Sequence, residues 1–177
     1  MENLTDDSNS VSLRKRTRAR QYAIQMMYCA EMNKCGYYDN CKQYDIQTTY
    51  CNGIYETEMN ATAENFWCSF PDEDKVVVSF AEKLFFDACS GISRNDELIK
   101  QFISKNWSFE RIGVVEKCIM RLAVHELFEG DDNTPVYAIM DDYVTLAKSF
   151  GDDKSASFVN GVLESIRTKF SIERGNE

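Results

Sequence analysis

The sequence predicts an all-α fold, and three observations carry the prediction. The 177 residues include only two prolines and eight glycines, too few breakers for a chain of many short strands and turns. Apolar residues recur at i, i+3, i+4 and i+7 in several long stretches, the period of a helix that lays one face on a core. Hydrophobic residues make up 44% of the chain and charged ones 28%, the balance of a globular domain, and the length suits one such domain.

The plainest element lies towards the C-terminus. Thr134 can cap a helix whose first position holds Pro135, where a missing N–H costs nothing. Val136, Ile139, Met140, Tyr143, Val144 and Ala147 then form a single apolar stripe. Gly151 ends that helix after Phe150, and a second helix turns Val159, Val162, Leu163 and Ile166 inward. Gly161 sits inside it, where glycine costs roughly 1 kcal/mol relative to alanine unless close packing needs the room.

Upstream, residues 113–129 are apolar on most sides, so this helix is expected at the centre of the domain. Its polar members Lys117, Arg121 and His125 fall on one stripe, read as a solvated or ion-paired face. Val77, Phe80, Ala81, Leu84 and Ala88 mark another helix, with Asp72, Glu73 and Asp74 favourably placed at its N-terminus. Ser93 can cap the next, whose Leu98, Ile99, Phe102 and Ile103 face inward, and Trp107 and Phe109 read as core anchors. Residues 33–70 show no sustained period and are expected to be an irregular insertion, with one helix near Thr62 to Cys68.

The first helix buries Ala19, Tyr22, Ala23, Met26, Met27 and Ala30. Arg18, Gln21, Gln25 and Tyr28 share its other side, while Arg20 lands at the edge of the apolar stripe. Residues 1–13 are polar and read as a disordered leader, 14–170 as the folded domain and 171–177 as a tail. Residues 14 to about 17 are expected to be a flexible arm that orders on a partner.

Several function classes drop out. No apolar run reaches the 18 residues of a membrane span, and the N-terminus lacks a signal-peptide pattern, which predicts a cytoplasmic protein. The seven cysteines form no CxxC pair and there is one histidine, so reduced thiols are expected rather than a disulfide framework or a zinc site. The pairs Asp131-Asp132, Asp141-Asp142 and Asp152-Asp153 lack the spacing of a calcium loop. No phosphate-cradling glycine loop, nucleophile elbow or HExxH helix is present, so neither an enzyme nor a cofactor is expected.

Charge points elsewhere. The chain carries a net −9, yet Arg14, Lys15, Arg16, Arg18 and Arg20 crowd into seven residues that contain no acid. Cations at a helix N-terminus oppose the macrodipole, which makes this a poor arrangement for stability alone. An arginine-rich segment with an aromatic close by, here Tyr28, is a common way to bind single-stranded RNA. A helical adaptor whose basic arm binds acidic partners without RNA sequence preference is the alternative.

The run LAKSFGDDKSASFVNGVL closely resembles the C-terminal signature of the NusB family of bacterial transcription antitermination factors. Val115-Glu116-Lys117, Arg121-Leu122-Ala123 and Glu126-Leu127 resemble the family in the same order, as do Arg18-Ala19-Arg20, Ala23-Ile24-Gln25 and Tyr28. The resemblance implies a fold of two three-helix bundles packed roughly perpendicular. It also implies binding of boxA RNA together with NusE, a small-subunit ribosomal protein. That complex would join RNA polymerase and other Nus factors to suppress premature termination, notably on ribosomal RNA operons. Arg16, Arg18, Arg20 and Tyr28 match the family's arm and first helix, and Lys148, Ser149 and Phe150 match a turn near the RNA. Glu116 matches a glutamate placed at the NusE interface. The family includes both monomers and homodimers, and the sequence leaves that choice open. This chain departs from the pattern at Thr17, where arginine is frequent, at His125, where tyrosine is usual, and at Asp141-Asp142, which stands for Asn-Glu.

Overall fold

Seven α-helices and one 3-10 turn make up the described residues, which in this computed structural model are 4–33, 50–104, 107–131 and 134–173. The helices are α1 (Leu4–Asn33), α2 (Tyr50–Ser69), α3 (Lys75–Ser90), α4 (Ile92–Phe102), α5 (Val114–Glu129), α6 (Val136–Phe150) and α7 (Asp153–Phe170). The short turn Phe109–Arg111 precedes α5. Among the described residues there is no strand, and no helix is long and apolar enough to cross a membrane.

Helix α5 organises the packing, as its apolar circumference predicts. It touches α1, α3, α4, α6 and α7, and residues 118–124 along it are all buried. One group of helices gathers α2 and α3 on α1, and another gathers α4, α6 and α7 on α5, in keeping with the two-bundle expectation. The expected stripes of α3, α6 and α7 supply this core: Val77, Ala81, Leu84 and Ala88; Val136, Ile139, Met140, Tyr143 and Ala147; Val159, Val162, Leu163 and Ile166.

Helix ends follow local chemistry, not always as expected. Pro135 stands in the cap position before Val136, and its carbonyl accepts from the N–H groups of Ala138 and Ile139. Thr134 therefore does not cap α6; its buried hydroxyl accepts from Arg16 instead. Asp152 caps α7 by accepting from the backbone N–H of Lys154 at 2.9 Å and of Ser155 at 2.8 Å. Helix α4 opens from Gly91, so Ser93 is not its cap.

Three expectations about the first half of the chain are corrected. Helix α1 is continuous from Leu4, so the leader over 1–13 is helical from that residue and the basic run is not a flexible arm. Ion pairs from α1 to the body hold it there, as described below. Residues 50–69 are a single helix in place of an irregular insertion, with Met59, Thr62, Ala63 and Phe66 buried at helical spacing. The rest of that stretch, 34–49, lies outside the described residues, as do 1–3 and 174–177. Phe109 is buried as expected, but Trp107 is 56% exposed and stacks on Phe158 with ring centroids 5.5 Å apart.

Candidate nucleic-acid interface

The cations of α1 fall into three environments. Arg14 is exposed, with no ion pair among the described residues. Lys15 and Arg18 lie against the short connection between α2 and α3. The Lys15 Nζ sits 2.9 Å from an Asp74 carboxylate oxygen, and the Arg18 Nε sits 3.2 Å from Asp72. A second Arg18 nitrogen lies 3.6 Å from Asp74. The hydrogen bond from Lys15 holds the Asp74 carboxyl below its ordinary pKa. Arg16 turns the other way, donating to Thr134 and, at 3.3 Å, to Asp131.

Arg20 leaves the interface altogether. It was grouped with the RNA-contacting cations, but it is 1% exposed and belongs to the core. Its Nε donates to Glu126 at 2.9 Å and a second nitrogen to the other oxygen of that carboxylate, while a third donates to Asp142. The Tyr143 hydroxyl donates to Glu126 at 2.9 Å, and Thr17 donates to Asp142 at 2.9 Å. Burial works against the Arg20 charge, yet the hydrogen bond and charge of Glu126 outweigh it and raise its pKa. Burial first, then the Glu126 charge, pushes the Tyr143 phenol well above its ordinary pKa. Thr17 and Asp142, two departures from the family pattern, thus meet each other in one cluster.

One turn after another along α1 leads from the cations to an apolar groove. Tyr28 is 37% exposed at its edge, and Ile24, Gln25, Phe66, Phe70, Val115 and Phe150 line its walls around a volume of about 360 Å³. The structure therefore brings Tyr28 and Phe150 together from opposite ends of the sequence. Phe66 falls in the helix expected near Thr62 to Cys68, but sequence reasoning gave neither it nor Phe70 a place in the site; the recurrence of Met59, Ala63 and Phe66 was the available signal. Lys148 is exposed and paired with Asp153 at 2.8 Å, and the hydrogen bond it donates to that carboxylate raises its pKa. The Ser149 hydroxyl donates to the Leu146 carbonyl at 2.9 Å.

Glu116 lies on the first turn of α5 and accepts from the Ser155 hydroxyl at 2.6 Å, joining α5 to the start of α7. Arg121 is buried, held by Asp96 at 2.6 Å and Glu31 at 3.0 Å, so its stripe is ion-paired rather than solvated. His125 is half-buried, and burial lowers its pKa. Among the described residues Cys29, Cys68, Cys89 and Cys118 form no disulfide, and no group of side chains is suited to a metal ion. Cys35, Cys41 and Cys51 lie outside the residues whose side chains are described.

Comparison with known proteins agrees with this architecture. A family model described as the NusB family matches residues 17–168. The transcription antitermination protein NusB of Anaeromyxobacter dehalogenans is 30% identical over 163 residues, covering 92% of this chain and 97% of its own. That of Bacillus velezensis is 41% identical over 115 residues, 65% of this chain and 87% of its own. The match to the Elusimicrobium minutum protein, 38% identical over 90 residues, spans 64% of that protein's length. Among solved structures, a chain in a crystal structure of a plectonemic RNA supercoil superposes with a TM-score of 0.70 at 25% identity, covering 89% of this chain and 97% of its own. A chain in a crystal structure of the antitermination factors NusB and NusE in complex with dsRNA gives 0.65 at 25% identity, covering 88% and 98%. The family model spans most of the sequence, relatives match it almost end to end, and the helical fold is shared: this chain belongs to the NusB family of transcription antitermination factors and is not an enzyme.

Proposed function

We propose that this protein binds boxA-type RNA along α1 and pairs with NusE to suppress premature termination, notably on ribosomal RNA operons, within an RNA polymerase complex that includes other Nus factors. The observation that carries this reading is an arrangement along one helix. Arg14, Lys15 and Arg18 stand on α1 ahead of Tyr28, which opens on the groove shared with Phe150. Arg16 stands beside them with part of its side chain exposed. The solved relatives seen with NusE and with dsRNA support the choice of partners.

The chemistry divides between the two ends of the site. The cations meet phosphates and supply affinity without sequence choice. With Arg20 in the core, four contacts remain, and a slope of roughly −0.7 per contact gives about −2.8 for log affinity against log salt. Sequence choice falls to the groove, where an unstacked base can lie against Tyr28 and Phe150. Lys148 and Ser149 stand beside Phe150 at its rim. Glu116 offers a carboxylate to NusE, from a position fixed by Ser155.

Fluorescence anisotropy of labelled boxA RNA, with and without NusE, tests this beside scrambled and duplex controls. Tighter binding to boxA, strengthened by NusE, is the expected result. Equal binding to every RNA, indifferent to NusE and matched by anionic vesicles, would replace it with the general acidic-partner adaptor.

A further inference from the structure

The cation face of α1 already holds an anion, and that anion belongs to the protein. The connection from Phe70 to Asp74 runs along α1 between the end of α2 and the start of α3. Its carboxylates occupy the places that phosphates would take: Asp74 at 2.9 Å from the Lys15 ammonium and Asp72 at 3.2 Å from the Arg18 guanidinium. The same carboxylates are also held by neutral groups of the fold, apart from the two cations. The Tyr22 hydroxyl donates to Asp72 at 3.0 Å, and Tyr22 packs edge-on against Phe66 and Trp67. Asp72 also accepts from the Asp74 N–H at 2.8 Å, and Asp74 caps α3 through the Val76 N–H at 3.1 Å. The acids are thus held at the cations by the fold, so they cost little further entropy to bring there.

We infer that Asp72 and Asp74 are built-in competitors of RNA phosphates, an autoinhibitory contact that lowers the affinity of α1 for every polyanion. The inference rests on the RNA reading above for its biological meaning, but not for its physics. A phosphate that reaches Lys15 or Arg18 exchanges one ion pair for another, so its net gain is small. Among the described residues, Arg14 is the one α1 cation of the basic run that offers charge without an exchange. The same factor is removed from cognate and non-cognate RNA alike, which leaves their ratio unchanged and drops charge-only complexes below useful affinity. Complexes that add base contacts in the groove stay above it. In a chain of net −9, this confines binding to RNAs that bring more than phosphate.

The test uses Asp72→Asn with Asp74→Asn, because one amide oxygen at each position keeps the backbone hydrogen bond while the charge is removed; at position 72 the oxygen that accepts from Tyr22 becomes an amide NH2, a change the melting curves monitor. Glu73→Gln with Glu110→Gln is the control, equal in net charge change and free of contact with the α1 cations. Inorganic polyphosphate, boxA RNA and scrambled RNA are titrated into each, with melting curves to confirm the fold. The Asn pair is expected to bind all three polyanions about three- to tenfold more tightly at low salt, with convergence on wild type as salt rises. Matched gains in the control would assign the effect to overall charge and overturn the inference. Unchanged polyphosphate affinity in a folded Asn pair would overturn it too. Gains on polyphosphate with no preference for boxA in any variant would keep the competitor and remove the RNA reading. Should the Asn pair melt early, the acetylation rate of Lys15 in Asp74→Asn alone decides: a faster rate supports the contact and an equal rate refutes it.

Discussion

Arg20 and Glu126 meet inside the core, two guanidinium nitrogens on two carboxylate oxygens, with side-chain exposures of 1% and 5%. This pair joins α1 to α5, and Asp142 extends it to α6. Removing one member leaves the other charged and buried, which typically costs about 3–5 kcal/mol. Arg20→Gln is therefore expected to lower the unfolding free energy by that order in urea titration. A change below about 1 kcal/mol would show that the cluster does not hold α1 in place.

Arg14→Ala with Arg18→Ala is expected to act in the opposite manner. Both residues are exposed, and Asp72, the 9% exposed partner of Arg18, keeps its hydrogen bonds from the Tyr22 hydroxyl and the Asp74 N–H, so the melting temperature stays near wild type. RNA affinity falls, and the salt slope shrinks from about −2.8 to about −1.4 as two phosphate contacts are lost. Anisotropy titrations across a salt series read both quantities. Arg16 is the poorer choice for this experiment, since Thr134 and Asp131 already hold it.

Tyr28→Ala separates the groove from the cations. A stacked base contributes about 1–3 kcal/mol, so boxA affinity is expected to fall by that amount with an unchanged salt slope. A fall in slope instead would mean that Tyr28 orders the cations rather than receiving a base.

His125 supplies a pH dependence. Its folded pKa lies below the ordinary 6.5 because burial disfavours the charged ring. The stability it contributes is complete above 6.5 and is lost as pH falls through the folded value, where the buried ring must take a proton. The melting temperature is expected to fall less between pH 7 and pH 5.5 in His125→Gln than in wild type, by differential scanning calorimetry.

Gly161 offers a stabilising change. A Cβ added there meets nothing within 4 Å, so the close packing that would excuse a glycine in mid-helix is absent. Gly161→Ala is expected to gain roughly 0.5–1 kcal/mol, a rise of about 1–4 °C in melting temperature.

Periodicity made most of this fold legible, and the reason is visible in α6 and α7. Their apolar stripes run unbroken, α6 stops at Gly151 and α7 starts from the capping Asp152, so pattern and punctuation agree. Only the end of helix α2, near Thr62 to Cys68, was legible, because its buried face mixes Thr62 with Met59, Ala63 and Phe66, and its first half is rich in Asn, Cys and Tyr. Arg20 was misread for a different reason. Its position at the edge of an apolar stripe was evident, but its partners Glu126 and Asp142 lie more than a hundred residues away, and one sequence gives no means of pairing them. The same holds for Lys15 and Arg18, whose neighbours in the sequence are basic while their neighbours in space are acidic. The groove between Tyr28 and Phe150 was half legible, since each residue was named but only the fold sets them on one wall.

The continuity of α1 has a geometric consequence. A helix rises 1.5 Å per residue, so Arg18 and Tyr28 stand about 15 Å apart along a rod that the core does not allow to stretch. On the proposed RNA reading the helix is a ruler, fixing how far a phosphate at Arg18 would lie from a base at Tyr28. One residue inserted between them would lengthen that ruler only slightly, but would swing its two marks about 100° out of line.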